Sequence, residues 1–209
     1  MSSGKKSNAI MSSIELQSVH GFDETPFQNG LIVGTNHVLY STGRNIAKLN
    51  TDTKMFSLIS CHAAVIQILG MAISSNQKYL AVAERHEHQM FINISVYNVT
   101  SGLLSRHMAV PDTQAESGHV LGMAFSNNNK VLVVHMGEPD YMLIVFKWFT
   151  GKVLKSVRGE RDVFKVTFNP HEPSSASTVL TASPQSLRFW RCDEDSLRHT
   201  NSIIPKVSV

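Results

Sequence analysis

GMAIS at 70–74 returns 52 residues later as GMAFS at 122–126 and, more loosely, as KVTFN at 165–169, a further 43 residues on. Each copy opens onto a second apolar run and then a third that ends near an aromatic residue. Self-similarity at such a period is the mark of a chain built from stacked supersecondary units, each too small to bury its own apolar face.

The runs that follow fix the register. NQKYLAVAE (76–84) matches NNKVLVVHM (128–136) at the same offset of 52, with STVLTAS (177–183) and HVLYSTG (37–43) at the corresponding places. Polar Asn and Lys come first, as a tight turn requires, and an apolar strand follows. ISVYNVTSG (94–102), LIVFKWFTG (143–151) and LRFWRCDED (187–195) stack without gaps, and IAKLNTDTK (46–54) is a weaker first copy. They align Leu49, Tyr97, Phe146 and Trp190 at spacings of 48, 49 and 44. Each unit thus predicts three short inner strands, apolar and β-branched. LLSRHMAV (103–110) and VLKSVRG (153–159) supply a more polar outer strand. No stretch has the periodicity of an amphipathic helix, and polar residues 110–119, with Pro111 and Gly118, predict an inserted loop.

The 209 residues are 42% hydrophobic and 17% charged, enough apolar material for a packed core. A net charge of +3 is too small to argue for nucleic acid, and no apolar run approaches the roughly 18 residues of a membrane span. Cys61 and Cys192 form no disulfide framework, which points to a reducing compartment. The sequons at Asn93 and Asn98 lie in or beside a predicted strand and are read as chance matches.

The fold expected is all-β: a partial β-propeller of about four blades belonging to a larger propeller, since closed rings of this type often need more blades. Residues 1–13 are expected to form a flexible tail. Residues 14–209 are expected to form the propeller segment, with units near 27–60, 65–110, 118–159 and 160–203. SIELQSVHGF (13–22) reads as a strand completing a blade elsewhere in the ring, and no closing strand is evident after Trp190.

ISVYNVTSG resembles the WD-repeat pattern, in which an apolar strand ends in Trp-Asp before a Thr-Gly-type turn. Here the dipeptides are Tyr97-Asn98, Phe146-Lys147 and Trp190-Arg191, so no copy keeps the Asp. The Gly-His of an ideal repeat is also missing, because His62 and His119 do not fall at equivalent offsets. Packing must replace the hydrogen-bond network those residues form in regular repeats. The series from GRNIAKLNTDTKMFSLI (43–59) through ILGMAISSNQKYLAVAE (68–84) and VLGMAFSNNNKVLVVHM (120–136) to VFKVTFNP (163–170) resembles the N-terminal WD-repeat region of the ciliary WD-repeat proteins. That resemblance implies a scaffold of the axoneme and cytoskeleton of cilia and flagella. Its implied partners are inner dynein arm or dynein-regulatory components, and tubulin. It implies no enzyme activity, cofactor, small-molecule substrate, nucleic acid or membrane.

Candidate sites are few. Glu84, His86 and His88 in ERHEH could present alternate metal ligands, but no third histidine or cysteine stands at a supporting spacing, so the segment is read as a solvated turn. Asp140 and Tyr141 occupy the equivalent turn of the next unit. These turns are expected to share a rim with the connections at 107–119 and 156–163, so Arg85, His86, His88, Asp140, Tyr141, Arg158 and Arg161 are the candidate partner-binding rim. Its arginines would suit an acidic surface, against the plainer reading of scattered loop charge. Trp148, Phe149, Phe189 and Trp190 are assigned to packing. No phosphate loop and no G-x-S-x-G elbow occurs. Two other readings stay open: a general cytosolic WD-type adaptor, and a hydrolase built at a propeller channel.

Overall fold

The computed structural model describes residues 30–89, 92–110, 118–172, 177–192 and 197–203. The expected tail over 1–13, the strand expected over 13–22 and most of the loop expected at 110–119 lie outside the described residues. Among the described residues, sixteen strands form four sheets of four. The first blade is β1 (Gly30–Val33), β2 (His37–Thr42), β3 (Asn45–Asn50) and β4 (Phe56–Ser60). The second is β5 (Val65–Ile73), β6 (Tyr79–His86), β7 (Ile92–Asn98) and β8 (Leu104–Ala109). The third is β9 (Val120–Phe125), β10 (Leu132–Met136), β11 (Met142–Lys147) and β12 (Lys152–Arg158). The fourth is β13 (Lys165–Phe168), β14 (Ser177–Ala182), β15 (Ser186–Cys192) and β16 (Leu197–Ile203). Every sheet is an antiparallel meander in chain order, and the opening strands pack side by side, β1 on β5, β5 on β9 and β9 on β13. This is the arrangement of successive propeller blades.

β16 is a strand with no counterpart in the sequence pattern. It pairs with β15 from Cys192↔Leu197 to Ser186↔Ile203. An outermost strand is held mainly by backbone bonds, so LRHTNSI needs no apolar alternation to pair.

The repeated phrases have distinct physical jobs. Gly122 of GMAFS lies where β9 meets β13, and a Cβ there would sit 2.6 Å from Val166 Cγ2. The polar phrase after it is the turn between first and second strands. Ser74 donates to Asn76 Oδ1 (2.7 Å) and accepts from the Tyr79 amide (2.9 Å). Ser126 repeats this with Asn128 (2.7 Å) and the Val131 amide (3.0 Å). Gln77 and Asn129, 52 apart, both take left-handed φ, 58° in each case.

A meander reverses at every turn, so the turns after the first and third strands of each blade lie on one rim, called here the odd rim. The turn after the second strand, and the connection to the next blade, lie on the opposite, even rim. Within each of the first three blades the two odd-rim turns are tied together: Thr51 N–H to Asn36 O (2.8 Å), Val99 N–H to Lys78 O (2.9 Å), and Trp148 Nε1–H to Asn129 O (2.7 Å).

The core lies between blades. Leu49, Tyr97, Phe146 and Trp190 pair with Val38, Leu80, Leu132 and Val179 respectively, the same register in all four sheets. Tyr97, Phe146 and Trp190 point into the seam with the preceding blade and are buried. Burying such side chains contributes about 1.5–3 kcal/mol each. The preceding residues point the other way, toward the following blade. Val96 and Val145 are therefore buried, whereas Phe189, in the last sheet, is 40% exposed. This corrects the assignment of Phe189 to packing: its position in the strand is that of a core residue, but no described sheet covers it. Ile32, on the opposite face of the first blade, is 72% exposed for the same reason, while Phe125 and Phe168 at equivalent positions are buried.

Candidate functional site

The seam between the first two blades holds the densest set of reactive side chains among the described residues. Glu84, on β6, is fully buried. The Tyr97 hydroxyl donates to its Oε1 at 2.8 Å and the Ser95 hydroxyl to its Oε2 at 2.6 Å, both from β7. His86 Nε2 lies 3.4 Å from Oε2. The His86 ring is stacked between His62 and His107, each with ring centroids 5.7 Å away. His62 follows Cys61 in the connection that leaves β4, and His107 on β8 has Nδ1 3.2 Å from Ser95 Oγ. The sequence reading of ERHEH as a solvated turn thus holds for Glu87 and His88, which are exposed. Glu84 and His86 turn inward, because alternate residues of β6 face the preceding blade.

The electrostatics of this seam oppose nucleophilic chemistry. Burial pushes the Cys61 thiol up to about 12, and the nearby Glu84 carboxylate adds to the effect. The Tyr97 phenol is raised by the same two causes in the same order. Reactive cysteines need the opposite environment, one that lowers the thiol. Burial lowers His107, with Glu84 opposing. The described residues contain no group of three or more His, Cys, Asp or Glu side chains arranged to hold a metal ion. What its hydrogen bonds do is tie β7 to β6 on the face of the second blade that meets the first. In the fourth blade Trp190 Nε1–H donates to Thr181 Oγ1 at 2.9 Å. In the second blade Val82 occupies the position of Thr181, and Tyr97 instead reaches Glu84, two residues nearer the even rim. Two different strand-to-strand bonds therefore replace the missing Trp-Asp network.

The residues assigned to the partner-binding rim do fall at or near the even rim, in two separate groups. Arg85 is half-buried and donates to Gln67 Oε1 (3.1 Å) and to the Gly118 carbonyl, bridging toward the next connection. His86 belongs to the buried seam. Near the third blade, Arg161 lies over the Tyr141 ring at 5.5 Å, and the Tyr141 hydroxyl donates to Glu138 Oε1 at 2.8 Å. Asp140 is half-buried beside them, and Arg158 is exposed at the end of β12. Behind them Glu160 holds Arg188 at 2.8 Å and accepts from Ser186 Oγ at 2.7 Å. A hollow of about 410 Å³ opens there, lined by Glu160 to Asp162 and Ser183 to Ser186. The arginines are interspersed with Glu87, Glu138, Asp140, Glu160 and Asp162, so this rim carries mixed charge. Trp148 is buried, as packing requires, but Phe149 is 40% exposed on the odd rim.

Sequence reasoning missed Cys61, His62, Ser95 and His107 as neighbours of Glu84. No local spacing links them. Only the pairing of β6, β7 and β8, with the connection after β4 laid against them, brings the set together.

No family model matches the chain. Over 184 residues, 86% of its length, it is 23% identical to mouse (Mus musculus) cilia- and flagella-associated protein 57, of which the match covers 15%. Over 179 residues, 85% of its length, it is 26% identical to mouse cilia- and flagella-associated protein 44, of which the match covers 9%. The chain therefore spans a small part of either relative, and along most of its own length it is similar to two cilia- and flagella-associated proteins.

Proposed function

We propose that this chain is a non-enzymatic WD-repeat scaffold segment of the axoneme of cilia or flagella. There it would hold inner dynein arm or dynein-regulatory components, and tubulin, in a multiprotein assembly. The observation that carries the reading is the match along some 85% of the chain to two relatives whose names place them in cilia and flagella. The architecture supports it. Four blades present long rims of turns for protein contacts, and the densest reactive cluster among the described residues holds a thiol pushed away from reactivity. The faces at Ile32 and Phe189, which no described sheet covers, support membership of a larger propeller, because a wedge of blades leaves two apolar faces unmet.

The test is to tag the protein in ciliated cells, isolate axonemes and detect it by immunoblot, with proximity labelling for its neighbours. Retention in detergent-washed axonemes beside dynein-regulatory components is the expected result. A diffuse cytosolic signal with none in axonemes would overturn the reading in favour of a general adaptor.

A further inference from the structure

We propose that the odd rim of the first three blades is a docking surface for an acidic protein segment that also carries apolar side chains. The inference rests on the interaction-module reading above but concerns a different rim from the one the sequence points to.

Charge and apolarity coincide on this rim. Lys54, Lys78 and Lys130 are exposed in its turns, and Lys78 and Lys130 hold the same repeat position. Lys147 and Lys152 flank the turn of the third blade and are also exposed. Among the described residues of these three blades, the acid on this rim is Asp52, which accepts from Asn36 Nδ2 at 3.1 Å. Between the lysines stand large apolar side chains facing solvent: Met55 at 72%, Leu103 at 69% and Phe149 at 40% exposure. Met55 and Leu103 occupy equivalent places in their turns. Lys147 Nζ lies 5.2 Å from the Phe149 ring centroid, so cation and apolar surface are presented together.

The platform is also preorganised. Beyond the ties inside each blade, hydrogen bonds run from blade to blade along it. The Gly34 amide donates to Gln77 Oε1 (2.6 Å), the Asn76 amide to Asn129 Oδ1 (3.2 Å), and Asn127 Nδ2 to Asn169 O (2.7 Å). A rigid surface loses little entropy on binding. Like-signed lysines attract an acidic partner, and the exposed apolar groups give contact area that water does not favour. The even rim, with its interspersed acids, has no such one-signed field.

The experiment uses the whole chain and a fluorescein-labelled peptide in which glutamates alternate with leucine and phenylalanine, read by fluorescence anisotropy. A glutamate-only peptide of equal charge and a single-stranded oligonucleotide of equal charge are the comparison probes. The paired variant Lys78→Glu with Lys130→Glu should weaken binding of the alternating peptide by about tenfold or more, and added salt should weaken it further. Arg158→Glu with Arg161→Glu, on the even rim, should change it by less than about twofold. Met55→Ser with Leu103→Ser should weaken the alternating peptide and leave the glutamate-only peptide unaffected. Equal loss from the two charge-reversal pairs, tighter binding of the oligonucleotide, or no binding of the alternating peptide would each overturn the proposal. None of these outcomes bears on axonemal retention, so the ciliary reading stands or falls separately.

Discussion

Acidification should weaken this protein above all through His135. It is fully buried on β10, where the other blades carry Ser41, Ala83 and Ala182. Gly159 leaves the room the ring needs, since a Cβ there would lie 2.3 Å from its Nε2. Nε2 sits 3.3 Å from the Tyr141 carbonyl, so the neutral ring carries its proton there, and Nδ1 is buried with no partner. A second proton would have to enter at Nδ1, where nothing accepts it. Burial accordingly lowers His135 from 6.5 to about 4. The folded value is below the unfolded one, so its contribution is complete above the unfolded value and is lost as pH falls toward 4. At about pH 5 the unfolded histidine is almost wholly charged and the folded one almost wholly neutral, which costs roughly 2 kcal/mol, rising to about 3 kcal/mol below both values. Urea unfolding at about pH 7.5 and about pH 5, for the native protein and for His135→Leu, isolates the term, because other titrating groups are shared. The native midpoint should fall by about 1 M urea more than that of the variant. Parallel falls in the two proteins would refute the reasoning.

Gly122→Ala should destabilise the protein by about 1–3 kcal/mol, because the new methyl meets Val166 on β13; an unchanged melting temperature would contradict that contact. Cys61 should react with iodoacetamide at least about tenfold more slowly than an ordinary thiol at about pH 8, given its rise from 9.0 to about 12, and peptide mapping of the labelled protein reads this directly. Labelling at an ordinary rate would show that the thiol is not held beside Glu84 as described. Phe146→Ala should cost about 3–5 kcal/mol by opening a cavity between the second and third blades, whereas Phe189→Ala should cost less than half as much. Equal losses in chemical denaturation would mean that the face carrying Phe189 is covered in solution.

The sequence by itself determined the unit and its register. The repeated Ser-x-Asn turn, the glycine of GMAFS and the series Leu49, Tyr97, Phe146 and Trp190 all report interactions that recur in unit after unit, inside one meander or across the seam with its neighbour. A fixed period therefore exposes them. β16 escaped notice because a polar edge strand is held by backbone bonds, which leave little trace in side-chain pattern. The tertiary structure decided which repeat positions have a neighbouring sheet against them and what that neighbour presents. Val145 and Phe189 share a repeat position, yet one is core and the other surface, since only the first has a described sheet against it. Glu84 and His86 look solvated in ERHEH but are buried, because their strand face meets the connection bearing Cys61 and His62. The charge of the two rims was likewise invisible from local spacing. It depends on which turns the meander carries to each side, and so on residues far apart in the chain that only stacked blades bring together.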